Sequence, residues 1–394
     1  MDKETFKNEI YRNLTENILP YWIKNMVDPS GGFYGRRDGR ENIDADAPKG
    51  AILNARILWT FSAAYRVLGN PLYLEMANRA KDYIERHFID KDLGGVFWSL
   101  NPDGTPLDTK KQFYAIGFMI YGLSEYSRAT GDESAKKMAL DLFMLIEKYS
   151  RDKVLNGYLE AATREWEPIE DMRLSDKDDN ASKTMNTHLH ILEPYTNLLR
   201  IVPDNELVKE AVRNLINIFL DKIEDPRTRH LGLFFDGDWH RRDKNISYGH
   251  DIEASWLLLE AAQVLNEQDV LEKTLDHTKH IAFAALEGRC HDGSMVYERF
   301  SNGHYDNDKH WWVQAENVIG QLYLWKFHGM EDMLEKSMQS WEYIRDNLVD
   351  TERGEWFWSR KGSEINRYDD KAGFWKCPYH NSRMCLEVIE NLSE

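Results

Sequence analysis

The sequence holds only three cysteines, Cys290, Cys377 and Cys385, and they show no metal-type pairing. That excludes a disulfide framework and points to a reducing compartment. Positive charge is also scarce: 50 Lys and Arg stand against 67 Asp and Glu, a net charge of −17 at pH 7. A protein that tracks a nucleic-acid backbone or clings to an anionic membrane needs clustered cations, so both are excluded as partners and a neutral ligand fits better. No apolar run approaches the length of a bilayer, and the N-terminal M-D-K-E-T-F-K-N-E is too charged for a signal peptide. The expected location is the cytoplasm. The chain also lacks a Gly-rich phosphate loop, a dinucleotide fingerprint, a nucleophile elbow and any Pro/Gly/Ser-rich linker.

What the chain does have is a repeat. Glycine followed by aromatic or β-branched residues recurs as G-G-F-Y-G at Gly32, G-G-V-F-W at Gly95, N-G-Y-L-E at Gly157, L-G-L-F-F at Gly232, D-G-S-M-V-Y at Gly293 and R-G-E-W-F-W at Gly354, with gaps of 63, 62, 75, 61 and 61 residues. Asp28, Asp92, Asp225 and Asp350 stand shortly upstream of four of these markers, as suits a polar turn leading into a short strand. Between markers the pattern is helical. Leu72, Met76, Ala80, Tyr83, Ile84 and Phe88 form one apolar stripe, whereas 51–65 and 252–264 are apolar on more than one face. Amphipathic helices alternating with more buried ones predict an outer and an inner ring.

Six such units can stack openly or close. An open solenoid needs polar capping repeats, and both end units carry inner-type helices as apolar as the rest. The predicted fold is therefore all-α: a single domain over 1–394, an (α/α)6 toroid of six helix-hairpin repeats with short β-hairpins on one face. The extra length of the third unit falls in the charged stretch 164–180, read as a loop.

Each inner helix begins with polar or aromatic residues in an apolar setting: Asn54 and Arg56, Tyr114, Asn186 and His190, His250 and Glu253, Trp312 and Glu316, His380 and Arg383. Equivalent positions of a closed helical ring point at one central cavity. The spacings i,i+4 for Asn186/His190 and Trp312/Glu316, and i,i+3 for His250/Glu253, put each pair on one face. Glu253 needs a buried partner, and His250 is the nearest candidate. Arg56 either grips a polar ligand or pairs with Glu253 or Glu316. Trp312 and Trp375 are core residues or sugar platforms. His188 and His190, two apart on a helix, point to nearly opposite sides and cannot chelate one ion, so no metal is expected.

Imidazoles on opposite sides of a cavity suit proton removal and return next to a carbonyl, with an arginine stabilising the enediolate between. That is cofactor-free epimerisation or aldose–ketose isomerisation of a sugar. An inverting glycosidase would instead use Asp178 or Asp251 with Glu253 or Glu316, leaving the histidines idle. A binding scaffold would place its functional residues on the outer surface.

The segments K-G-A-I-L-N-A-R-I-L-W (49–59), S-K-T-M-N-T-H-L-H (182–190), S-Y-G-H-D-I-E-A-S-W (247–256), W-W-V-Q-A-E (311–316) and W-K-C-P-Y-H-N-S-R-M-C (375–385) resemble the N-acylglucosamine 2-epimerase superfamily, and within it the cellobiose 2-epimerase branch, over essentially the whole chain. The resemblance implies epimerisation at C2 of the reducing end of a β-1,4-linked disaccharide such as cellobiose, with lactose also accepted, by a monomer without cofactor or metal. It implies His250 and His380 as the pair working on the C2 proton, His190 as the residue assisting ring opening, and Arg56 with Asn186 as the grip on the C1–C2 oxygens. Glu253 would support the His250 side. Trp312, Trp375 and Tyr114 would face the sugar, with Asp178 near its second unit.

Overall fold

Each glycine-aromatic marker is a tight turn closed by one antiparallel bridge. In the computed structural model, which describes residues 1–393, the six bridges are Val27 with Phe33, Ile89 with Val96, Arg151 with Tyr158, Glu224 with Leu231, Arg289 with Met295 and Val349 with Trp356. The aspartate after the bridge turns back to accept from backbone N–H groups of the turn, as Asp90 Oδ1 does from Asp92 at 3.1 Å and Leu93 at 3.2 Å. The carboxylate then meets a buried lysine from the segment ahead of the next inner helix: Lys49 with Asp28 at 2.6 Å, Lys111 with Asp90 at 2.8 Å, Lys183 with Asp152 at 2.8 Å and Lys371, beside the Ala372 bridge, with Asp350 at 2.6 Å. The recurring aspartate of the second unit is thus Asp90 and not Asp92, because only Asp90 occupies the turn's first position. In the fifth unit Cys290 stands in the aspartate's place, and Lys309 lies 3.3 Å from its Sγ.

The helices are α1 (Lys3–Arg12), α2 (Leu19–Asn25), α3 (Ala51–Leu68), α4 (Pro71–Tyr83), α5 (Phe113–Thr130), α6 (Glu133–Tyr149), α7 (Met185–Ile201), α8 (Glu206–Ile218), α9 (Tyr248–Leu265), α10 (Gln268–Ala285), α11 (Trp311–His328), α12 (Asp332–Asn347) and α13 (Tyr379–Ser393). A π turn at Asn13–Ile18 joins α1 to α2, and others extend α4 through Phe88 and α8 through Ile223. The inner ring is α3, α5, α7, α9, α11 and α13. Apart from α13, which is more polar, their sequences are largely apolar, and nearly every residue of the first three turns of all six is buried. The junction from an inner to an outer helix is short because its chemistry is explicit. Gly69 and Gly131 end α3 and α5 in the left-handed conformation, and the next residues, Asn70 and Asp132, cap α4 and α6.

The ring closes. Each inner helix packs on the next, and α13 packs on α3 and α1. The two-residue strand ahead of each inner helix pairs with a strand that follows the next marker, as Lys49–Gly50 does with Ser99–Leu100 and Ile246–Ser247 with Glu298–Arg299. The series ends with a bridge from Ala372 of the sixth unit back to Arg37 of the first. All strands therefore lie at the N-terminal end of the inner helices, on one face. Residues 164–180 carry no helix or strand and lean over that face. Among the described residues no helix is long and apolar enough to cross a membrane.

Candidate active site

Because the inner helices all start at the strand face, their first turns surround one opening. A cavity of about 530 Å³ lies there. Asn186, Ser247 and His250 form part of its wall, with Glu160, Asp178 and Leu174 on one side and Tyr297, Phe300, Asp306, His310 and Trp358 on the other. Of the residues expected from sequence, Asn186, His250 and Asp178 line this space directly. The others sit beside them in one continuous cluster. Trp312 packs against His250 with ring centres 4.8 Å apart and planes tilted by 51°, and meets His380 at 5.7 Å. His190 meets Tyr114 at 5.1 Å, and Tyr114 meets Trp375 at 6.2 Å. The Arg56 guanidinium donates to the Tyr114 hydroxyl at 3.1 Å and lies on the rings of Phe118 and Tyr379.

Two close approaches make this convergence possible. A Cβ on Gly249 would sit 2.7 Å from the Trp312 ring, so glycine there lets α11 press its tryptophan against the first turn of α9. A Cβ on Gly117 would sit 2.5 Å from the backbone oxygen of His190. That oxygen lacks its usual helical donor, since residue 194, four further on, is proline.

Beneath the cavity, Arg383 organises the floor. Its guanidinium donates to Glu253 at 2.8 Å and to Glu316 at 2.5 Å, and also to Glu193 and the Tyr379 hydroxyl. Glu193 accepts from His190 Nδ1 at 2.8 Å, Glu316 accepts from His380 Nδ1 at 2.7 Å, and Trp256 Nε1 donates to Glu316 at 2.9 Å. An ionised carboxylate can only accept, so both histidines carry a proton on Nδ1 and leave Nε2 as a lone pair. Burial pushes Glu193 upward, but Arg383 and His190 overcome this and hold it at about 2. Burial raises both Glu316 and Glu253, and Glu253, with the charge of Glu316 adding to burial, goes well above the usual carboxylate range, so it is the acid of the trio that keeps its proton.

This corrects the expected pairing of Glu253 with His250. The two share a face of α9, but a guanidinium binds a buried carboxyl better than a neutral imidazole does, and Arg383 reaches Glu253 from 130 positions along the chain. His250 instead has its Nδ1 2.7 Å from the Ser247 hydroxyl. The alternative pairing of Arg56 with Glu253 or Glu316 is likewise not formed; Arg56 Nε is buried without a partner among the described residues, as is Asn186 Oδ1. The Glu253, Glu316 and His380 ligand atoms lie within 4.8 Å of one another, close enough to hold a cation, but Arg383 already sits on both carboxyls.

Burial lowers all three histidines: His190 falls despite Glu193, His380 falls well below its ordinary value with Arg56 and Arg383 adding to the effect, and His250 falls to about 3. Each is a neutral imidazole at neutral pH. His188, by contrast, is structural: its Nδ1 is 2.6 Å from the Thr184 carbonyl and its Nε2 accepts from Tyr158 N–H at 2.9 Å. Asp251, a carboxylate the hydrolase alternative invoked, is held away from the cavity by His230 at 2.7 Å and Leu231 N–H at 2.9 Å. Asp178 binds the backbone and hydroxyl of Ser175 through one oxygen, at 2.9 and 3.0 Å.

Sequence reasoning missed Ser247, Glu160 and the far rim of Tyr297, Phe300 and Trp358. A signal existed for two of them: Tyr297 and Trp358 are the aromatic ends of the fifth and sixth markers, read as punctuation when they are also wall. The missed Glu160 accepts from Thr184 N–H at 2.7 Å and from the hydroxyls of Thr184 and Thr187, and burial raises it to about 8.

Residues 32–382 match the family model described as N-acylglucosamine 2-epimerase. A cellobiose 2-epimerase of Bacteroides fragilis is 57% identical over 389 residues, covering 98% of this chain and 99% of its own. One of Dictyoglomus turgidum is 36% identical with both chains fully covered. Among solved structures, a cellobiose 2-epimerase from Bacillus thermoamylovorans superposes with a TM-score of 0.94 at 39% identity, covering 98% of this chain and 99% of that one.

Proposed function

The chain belongs to the N-acylglucosamine 2-epimerase family and is a carbohydrate epimerase, and from that premise we propose how its residues interconvert glucose and mannose configurations at C2 of the reducing end of a β-1,4-disaccharide. Cellobiose becomes glucosylmannose in this reading, and lactose is taken as well. The observation that carries the mechanism is the set of three neutral histidines around one opening, with two of them pinned at Nδ1 by carboxylates that share Arg383.

His190, beside Tyr114, assists opening of the sugar ring by moving a proton between O1 and O5. His250 and His380 face C2 from opposite sides. One takes the C2 proton on Nε2 and the C2–H electron pair passes into the C1–C2 bond and onto O1. The other takes a proton from solvent in the open site and delivers it as imidazolium to the opposite face, while the first returns the captured proton to solvent, so both end neutral. The negative oxygen formed between these steps is held by Arg56, whose cation is buried and whose Nε is unpartnered, and by Asn186. Glu253 and Glu316 keep the floor rigid through Arg383, Trp312 and Trp375 present ring faces to the sugar, and Asp178 meets the second unit. The protein works as a cytoplasmic monomer, without nucleic acid, membrane or cofactor.

The test is incubation of the purified protein with cellobiose in deuterated water. Deuterium at C2 together with glucosylmannose is expected. The absence of both signals would sink the reading, and free glucose would put a hydrolase in its place.

A further inference from the structure

We propose that Ser247 is a positioning residue for C2 proton transfer, holding His250 by Nδ1 so that Nε2 is the atom offered to the sugar. The inference rests on His250 acting as acid and base in the reading above.

Ser247 stands at the N-cap of α9, where a serine hydroxyl ordinarily accepts a backbone N–H of the first turn. The equivalent residue of α7 does this: Thr184 Oγ1 accepts from Thr187 N–H at 3.1 Å. Ser247 makes no such bond. Its hydroxyl lies instead 2.7 Å from Nδ1 of His250, three residues on, so a capping position has been given over to a histidine ring. The serine is only 4% exposed, lines the cavity, and is fixed from behind by pairing of its strand with Glu298. The ring is fixed from its other side by Trp312, which Gly249 admits. With both contacts made, Nε2 has no partner among the described residues.

The partner differs in kind from those of the other two histidines. Nδ1 of His190 and of His380 each meets a carboxylate, which only accepts and which stabilises a charged ring. A hydroxyl accepts Nδ1–H from the neutral ring and from imidazolium alike, and adds no negative charge. His250 therefore keeps its orientation when it gains the C2 proton on Nε2 and when it gives it back.

The experiment measures kcat and KM for hydrogen–deuterium exchange at C2 of cellobiose, with thermal unfolding alongside, for the parent, S247A, S247T and H250N. For S247A we expect kcat to fall roughly 10- to 100-fold, less than the loss of a whole acid–base group, with KM within about threefold and the melting temperature little changed, since no backbone cap is removed. S247T, which keeps the hydroxyl, should recover most of the rate. An S247A enzyme at parental kcat beside an inactive H250N overturns the role of Ser247 alone, and so does a folded S247T as slow as S247A. Parental turnover in H250N overturns the catalytic reading beneath it. Should S247A lose its fold, S247C, which keeps the shape and weakens the hydrogen bond, carries the same comparison.

Discussion

At the scale of single residues, the site depends on keeping imidazoles uncharged, two of them buried and the third, His250, on the cavity wall. A free histidine titrates near 6.5, but burial brings His250 to about 3 and lowers His190 and His380 as well. A lowered value means that the ring takes a proton only at more acid pH, so the base form persists as pH falls through the ordinary range. In a profile of kcat/KM against pH, the acid limb should therefore lie well below 6.5. A limb centred near 6.5 would show that an exposed or differently held histidine controls the rate. The pairing of these residues was the part least legible in sequence. The i,i+3 spacing put Glu253 beside His250 correctly, yet spacing along one helix says nothing of Arg383, which arrives from another helix and takes the carboxyl.

At the scale of elements, most of the architecture could be read because turn chemistry repeats. The markers, the Gly–Asn and Gly–Asp junctions and the two kinds of helix each recur with their own physical cause. The far rim was harder to read, since Tyr297 and Trp358 join the cavity only through strands that pair across units. Contact between inner helices was also invisible, because it depends on where one backbone meets another. Gly117 is the sharpest instance. An alanine there would favour the helix by about 1 kcal/mol and cost about 1–3 kcal/mol in crowding against the His190 oxygen. The G117A enzyme should thus melt within several degrees of the parent and yet lose at least about tenfold in turnover, because His190 must shift. Parental turnover would mean that α7 can yield without moving its histidine.

At the scale of the whole molecule, the seam between the first and sixth units is where the ring is secured. Buried Lys371 joins Asp350 at 2.6 Å to Glu41 at 2.9 Å, one carboxylate from each side of that seam. Removing the cation strands two carboxylates, at a cost of about 3–5 kcal/mol. Lys371→Met should lower the melting temperature by several degrees, whereas Lys137→Met, which breaks an exposed pair with Asp141, should leave it unchanged. Equal melting of the two variants would show that the seam is held by helix packing alone.

The bridge from Ala372 to Arg37 also bears on how the protein is made. Translation delivers Arg56, His190 and His250 first, on helices whose apolar flanks α3 and α11 must leave bare until α13 arrives to lie between them. His380 and Arg383 come with that same helix. A nascent chain is thus sticky and inactive together, and one late docking event both shields the wall and supplies the second histidine. The flank of α3 stays uncovered from its own synthesis until α13 docks, which is when chaperone capture and aggregation should compete.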